Sequence, residues 1–206
     1  MTWLLQFHRG KTHYQAMLRH LRLWLIRFAL ARATASLKRS PRLATFWLRM
    51  GCGLSTSFGE PFVALVHLRR TQGDRWGAVA VAQQASGRFK GNPDAWMLLG
   101  EAYQMVFRQK EALEAYEEVL VLEERADAAL AAGELYLRMS RPAEAAARFA
   151  RAYAAGGGPP ALWSNARALF QSGDTAAAEQ ALALWAAEVP NGLERLPAAR
   201  AELASK

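Results

Sequence analysis

"NPDAWMLLGEAYQMVFRQKEALEAY", residues Asn92 to Tyr116, holds two apolar runs separated by a short polar break. In the first run Trp96, Leu99, Gly100 and Tyr103 recur at helical spacing, and in the second Ala112 and Tyr116 do so. "GNPD" stands where the first helix should begin. The stretch reads as two amphipathic helices folded back on each other. Whether this hairpin stands alone or recurs decides between a search for an active site and a search for a binding surface.

It recurs. In "ADAALAAGELYLRMSRPAEAAARFARA", Gly133 and Tyr136 repeat the Gly100–Tyr103 spacing, and Ala145 and Phe149 repeat Ala112 and Tyr116, a period of about 33 residues. Upstream, "EPFVALVHLRRTQGDRWGAVAVAQQA" offers Phe62, Leu65, a turn glycine at Gly73, then Ala78, Ala82 and Ala85. Downstream, "PALWSNARALFQSGDTAAAEQALALWAAEVP" supplies Trp163, Phe170, Gly173, Ala178 and a closing Pro190, with a register slip of about one residue between its helices. "MSRP", "GGGPP" and "SGD" fall where helices should end or begin. A hairpin of this kind cannot bury its own apolar face, so neighbours must stack. The small residues Gly100, Ala112, Gly133 and Ala145 are placed for close backbone approach. Trp96, Tyr103, Tyr116, Tyr136 and Phe149 are placed to fill the gaps beside them.

On these residues the sequence resembles the tetratricopeptide repeat (TPR) family over residues 59–190, as about four units, the outer two degenerate. The expected fold is all-α: a TPR-type α-solenoid of antiparallel helix hairpins. Residues 1–58 would form a basic amphipathic helical arm and linker, and residues 191–206 a C-terminal capping helix.

Composition bounds the rest. The 206-residue chain is rich in Ala, Leu and Arg, which leans helical. Its one cysteine, Cys52, allows no intrachain disulfide and no cysteine zinc cluster, and suits a reducing compartment. The net charge of +8 is unevenly spread: residues 1–59 hold ten Lys/Arg and no acid, whereas from Glu60 onward 16 Lys/Arg face 18 Asp/Glu. The most apolar run, "LRLWLIRFALAR", is interrupted by Arg22, Arg27 and Arg32 and falls short of a membrane span. Its cations lie within and after the apolar stretch, unlike a secretory signal, and the Trp-rich, Ser-poor start is unlike a cleaved presequence.

No catalytic, metal or cofactor constellation is legible. His8, His13 and His20 do not place two imidazoles one helical turn apart, and no carboxylate lies near them. "GCGLSTSFG" places Cys52 and Ser57 among glycines without a nucleophile or phosphate-binding motif, and reads as a flexible linker with a bystander thiol. Glu114, Glu117, Glu118, Glu123 and Glu124 read as a solvated helix face. The chain is expected not to be an enzyme.

The TPR resemblance implies that the first helix of each hairpin lines a groove. In the first unit this would present Val63, His67 and Arg70; in the second, Asp94, Met97, Leu98, Glu101, Gln104 and Met105. The third would present Asp127, Leu130, Glu134, Leu137 and Arg138, and the fourth Ser164, Asn165 and Gln171. Leu98, Leu130 and Leu137 suit packing against neighbouring helices equally well. Such a groove, apolar with an acidic fringe, would suit a partner helix with Leu or aromatic anchors and Arg or Lys. TPR modules that clamp the carboxylate tail of heat-shock chaperones use Lys, Arg and Asn on this face. Met97, Glu101 and Glu134 depart from that pattern.

The arm reads as two helices, about Thr12 to Ser36 and another from Ser40-Pro41 through Leu43, Phe46, Trp47 and Met50. Three partners compete for it. An anionic membrane surface would meet Trp3, Trp24, Phe28 and Trp47 at headgroup depth and Arg19, Arg22, Arg27, Arg32 and Arg42 around them. Proteins would hold it as extra solenoid helices or within a membrane-embedded complex. Nucleic acid is disfavoured because the arginines are interleaved with long aliphatics. The expectation is a non-catalytic adaptor or assembly scaffold on the cytoplasmic face of a membrane. The alternatives are a nucleic-acid-associated regulator or a self-assembling scaffold whose groove captures the arm.

Overall fold

The structure, a computed structural model, describes residues 2–37 and 39–204, with side chains described for 17–37 and 39–203. The described residues form eleven α-helices and no strand. These are α1 (Thr2–Ser36), α2 (Pro41–Leu54), α3 (Glu60–Thr71), α4 (Arg75–Arg88), α5 (Pro93–Met105), α6 (Gln109–Leu122), α7 (Ala126–Arg138), α8 (Pro142–Ala152), α9 (Gly158–Ser172), α10 (Thr175–Glu188) and α11 (Gly192–Ala204). They divide into two compact units, Met1–Phe89 and Lys90–Lys206.

Four of the connections are one turn repeated. The hairpins α3–α4, α5–α6, α7–α8 and α9–α10 each close through a residue in the left-handed region: Gly73 (φ +78°), Phe107 (+60°), Ser140 (+56°) and Gly173 (+87°). Their spacings are 34, 33 and 33 residues. The next residue's N–H always reaches back to the carbonyl five residues earlier: Asp74 to Arg69, Arg108 to Tyr103, Arg141 to Tyr136 and Asp174 to Leu169, at 2.9–3.0 Å. This is the Schellman arrangement, which satisfies carbonyls that a helix end would otherwise orphan. Two of the four turns hold a non-glycine there, so only Gly73 and Gly173 announce the turn in sequence. The following helices start on side-chain caps where the residue allows it. Asp74 accepts from the Gly77 N–H at 2.8 Å, and Asp174 from the Ala177 N–H at 3.1 Å.

Within unit 2 the small-against-large packing is direct. A Cβ added to Gly100 would lie 2.6 Å from Tyr116 Cε1, and one added to Gly133 would lie 2.6 Å from Phe149 Cε1. Both rings are fully buried, with Ala112, Ala132, Leu135 and Ala145 in the same cluster. In these two hairpins the first helix thus lets the aromatic of the second rest on its bare backbone.

The fourth hairpin corrects the expected register. The positions one period after Gly133 and Phe149 are Ala166 and Leu182, both buried, and Ala178 follows Ala145 in the same register. There is no slip between α9 and α10. Trp163 and Phe170 are the only aromatics in α9 and so invite assignment to aromatic slots. Leu162 and Leu169 occupy those slots instead, and the two rings stand one position further round the helix, half-buried. "GGGPP" does mark a boundary: after α8 the chain runs through a π-turn, Tyr153–Gly157, with Gly156 at φ +89°, before α9 begins. At the other end of the unit, Ala199 and Leu203 of α11 bury against Leu182, Trp185 and Ala186.

In unit 1, α1 begins ten residues before the expected Thr12, because the preceding Leu, Gln and Phe residues are compatible with a helix and no breaker intervenes except Gly10. It pairs with α2 through a seam of small residues, and Ala29, Ala33, Ala44 and Leu48 are buried. The linker expectation for "GCGLSTSFG" is corrected for its first four residues, while residues 55–59 do connect two helices. α2 continues through Leu54, and Gly51 and Cys52 are buried because Gly51 lies against Pro61 of α3. Arg88 of α4 donates to the carbonyls of Cys52 (2.9 Å) and Ser55 (2.5 Å), so a cation closes the C-terminal end of α2.

Replacing Gly133 by Ala gains helix propensity of about 1 kcal/mol but drives a methyl into the Phe149 ring, an overpacking cost of about 1–3 kcal/mol. Urea unfolding should show a net loss of about 1 kcal/mol, while Gly87→Ala, which meets nothing within 4 Å, should be neutral or stabilising. A midpoint unchanged or raised by Gly133→Ala contradicts the ring-on-backbone contact.

Candidate functional site

The exposed side of α5, α7 and α9 carries three rows at the 33-residue period. One is Met97, Leu130 and Trp163; the next is Glu101, Glu134 and Arg167; the third is Gln104, Leu137 and Phe170. Helical spacing of three and four residues aligns the rows on one face of each helix. Met97, Leu130 and Leu137 are half-buried against the core, and so supply its edge as well as the face. Glu101 and Arg138 are exposed, and Gln104 and Met105 are half-exposed. Leu98 is corrected: it is buried, and so belongs to the interior of the hairpin stack and not to the face. On α9 the residues aligned with the rows are Trp163, Arg167 and Phe170. The expected Ser164 and Asn165 are half-buried beside them, with Asn165 Oδ1 buried, and Gln171 is exposed. The missed signal was the uninterrupted period, hidden by the assumed slip. In unit 1, Val63, His67 and Arg70 occupy the corresponding positions on α3, all exposed.

The acidic fringe is largely neutralised, which corrects the expected demand for a cationic partner. Arg125, just before α7, bridges Asp94 at 2.5 Å and Asp127 at 2.6 Å, and its hydrogen bonds hold the Asp127 carboxyl below the usual carboxylate range. Arg167 pairs with Glu134 at 2.6 Å. Similar bridges reach α8 from α6 and from the connection after it: Arg148 to Glu117 at 2.7 Å and Arg151 to Glu124 at 2.5 Å. Arg151 also donates to the Leu120 carbonyl at 2.6 Å. Glu114, Glu118, Glu123 and Glu124 are exposed, as a solvated face should be, and Glu117 is half-buried; Glu117 and Glu124 also pair with the next hairpin.

Beside Trp163 a pocket of about 540 Å³ opens among α9, α10 and α11, lined by Pro159, Pro160, Trp163, Trp185, Val189 and Arg195. The two indole rings lie 5.1 Å apart, and the Arg195 guanidinium stands 6.0 Å from the Trp185 ring.

Among the described residues no group of His, Cys, Asp or Glu is placed to hold a metal, and no helix is long and apolar enough to cross a membrane. His20 is exposed on α1, while the side chains of Trp3, His8 and His13 lie outside the described residues. Arg19, Arg22, Trp24, Arg27, Phe28, Arg32 and Arg42 are exposed, and Trp47 is half-buried.

No protein-family profile matches the chain, and no curated protein sequence matches it. Solved structures do match. The chain is similar to MamA at 16% identity, covering 80% of this chain and 91% of that one, with a TM-score of 0.65. It is similar to PilF of Pseudomonas aeruginosa at 19% identity, covering 91% and 89%, with a TM-score of 0.63. YrrB, described as a TPR protein with an unusual peptide-binding site, matches at 17% identity over 75% and 82%, with a TM-score of 0.59. The fold is that of the tetratricopeptide repeat proteins, a TPR-type α-solenoid.

Burial pushes the Cys52 thiol up to about 11, so it stays protonated at neutral pH. At pH 8 its alkylation in the folded protein should be about 100-fold slower than in urea, where an ordinary thiol pKa returns. Equal rates in the two states would contradict the buried position of Cys52.

Proposed function

We propose that the protein is a non-catalytic adaptor or assembly scaffold that grips protein partners on the first-helix face of its hairpins. In this reading the α1–α2 arm associates it with a membrane surface or a membrane-embedded complex, on the cytoplasmic side. The observation that carries the proposal is the triple row on α5, α7 and α9. Apolar residues recur there at half-buried positions next to polar ones, a pattern that solenoids use to receive an extended or helical segment. YrrB, on the same fold, is described as having a peptide-binding site, which supports this reading. Because Asp94, Asp127 and Glu134 already have arginine partners, the apolar row and the polar Gln104 would carry partner choice more than bulk charge does. The cationic arm supports the localising role, since residues 1–58 hold ten Lys/Arg and no acid.

The test is affinity purification with the whole chain and with E101K/R138E, two exposed positions on the face. With its helicity matched to the wild type by circular dichroism, the variant should lose the partner that the wild type recovers, while E118K, on the exposed side of α6, should retain it. Retention by E101K/R138E, or loss in E118K, places the partner elsewhere.

A further inference from the structure

Large apolar side chains left in water concentrate on α1 and α2. Met17, Leu21, Trp24 and Phe28 of α1, and Leu43 and Phe46 of α2, are each between 40% and 59% exposed. On α1 the spacing of four, three and four makes a single stripe, roughly 16 Å long. Ring contacts join it to α2. Trp24 stacks on Phe28 at 5.5 Å, Phe28 meets Trp47 edge-on at 5.7 Å, and Trp47 meets Phe46 at 5.4 Å. The small-residue seam buries the opposite edge of the pair, so the two stripes form one outward face of the hairpin.

Charge identifies what this face suits. Seven arginines lie between Arg19 and Arg49, and no carboxylate occurs before Glu60, so none is neutralised within the two helices. At 100° per residue, Arg32 falls roughly 50° to one side of the α1 stripe and Arg27 roughly 90° to the other. The Arg32 guanidinium also sits 5.7 Å from the Trp47 ring. An apolar face rimmed by cations needs an occupant that is apolar and anionic together. A second copy docking face to face would oppose like charges. Nucleic acid offers bases for the rings but nothing for Met17, Leu21 and Leu43.

We infer that this face lies flat on an anionic lipid surface, with the aromatic and aliphatic stripe at the headgroup–acyl boundary and Arg27, Arg32 and Arg42 on the headgroups. The inference rests on the membrane-associated reading above and commits its arm to lipid. The helix does not enter as a span, in keeping with the arginines that interrupt it.

Vesicle flotation of the whole chain tests it, using phosphatidylcholine alone and an equal mixture with phosphatidylglycerol. The chain should float with the mixture and much less with phosphatidylcholine. R27Q/R32Q/R42Q should bind the mixture about 100-fold more weakly, each cation near an anionic surface contributing about 1 kcal/mol. L21S/W24S/F46S should lose at least about tenfold with its charge unchanged. W24S alone, with helicity followed by circular dichroism, separates lost contact from a loosened helix pair and should fall in the same direction. Val121→Ser, exposed on α6, should bind as the wild type does. Equal binding to both vesicle types, or wild-type binding by L21S/W24S/F46S, overturns the inference, as does a preference for single-stranded RNA. If the chain ignores protein-free vesicles but sediments with native membranes until their proteins are digested, the lipid inference falls and a membrane-complex role survives. If it sediments with neither, both fall.

Discussion

From Lys90 onward no hairpin buries its own apolar faces alone; each is completed by the next. Between hairpins that dependence shows where Val119 and Leu120 of α6 share a buried cluster with Ala128 and Ala129 of α7; within a hairpin, Tyr116 and Phe149 rest on the bare backbones of Gly100 and Gly133. The contact fixes how closely the two helices of a hairpin approach. It also leaves the outer edges of Met97, Leu130 and Leu137 only half-covered by the core. Stacking then propagates from one hairpin to its neighbour, which is how a quasi-one-dimensional architecture acquires stability from interfaces between short pieces.

Polar contacts follow the same direction. In the bridges between hairpins the acid belongs to the earlier one and the arginine to the later: Asp94 to Arg125, Glu117 to Arg148, Glu124 to Arg151 and Glu134 to Arg167. Glu179 to Arg200 continues the order into α11. Each pair is partly solvated and adds little to stability, so the apolar seams supply it and the bridges favour one register between neighbours. Two of these bridges, at Asp94 and Glu134, lie on the first-helix face, which keeps fewer unbalanced acids than its sequence suggests.

Much of this was legible in the sequence because the repeat writes its small and large residues at fixed offsets. Gly100, Tyr116, Gly133 and Phe149 identify the hairpin, and Pro93, Pro142 and Gly173 mark ends that the structure keeps. What was hidden has physical reasons. The left-handed turn residues Phe107 and Ser140 carry no glycine, so the four-fold identity of the turns shows only in backbone geometry. Trp163 and Phe170 drew the register of α9 toward themselves, although Leu162, Ala166 and Leu169 do the packing. Ion pairing across hairpins depends on side chains about 31 residues apart, which neither local spacing nor charge counting reveals. In the arm, Gly51 and Gly53 read as a linker, yet the first lies against Pro61 inside a continuous helix.

Circular dichroism of the isolated α5–α6 hairpin, residues 92–123, beside the whole chain tests the dependence of one hairpin on another. Deprived of neighbours, this segment should be largely unfolded under conditions in which the whole chain is helical and melts cooperatively. A hairpin that is helical and melts cooperatively by itself would contradict the account.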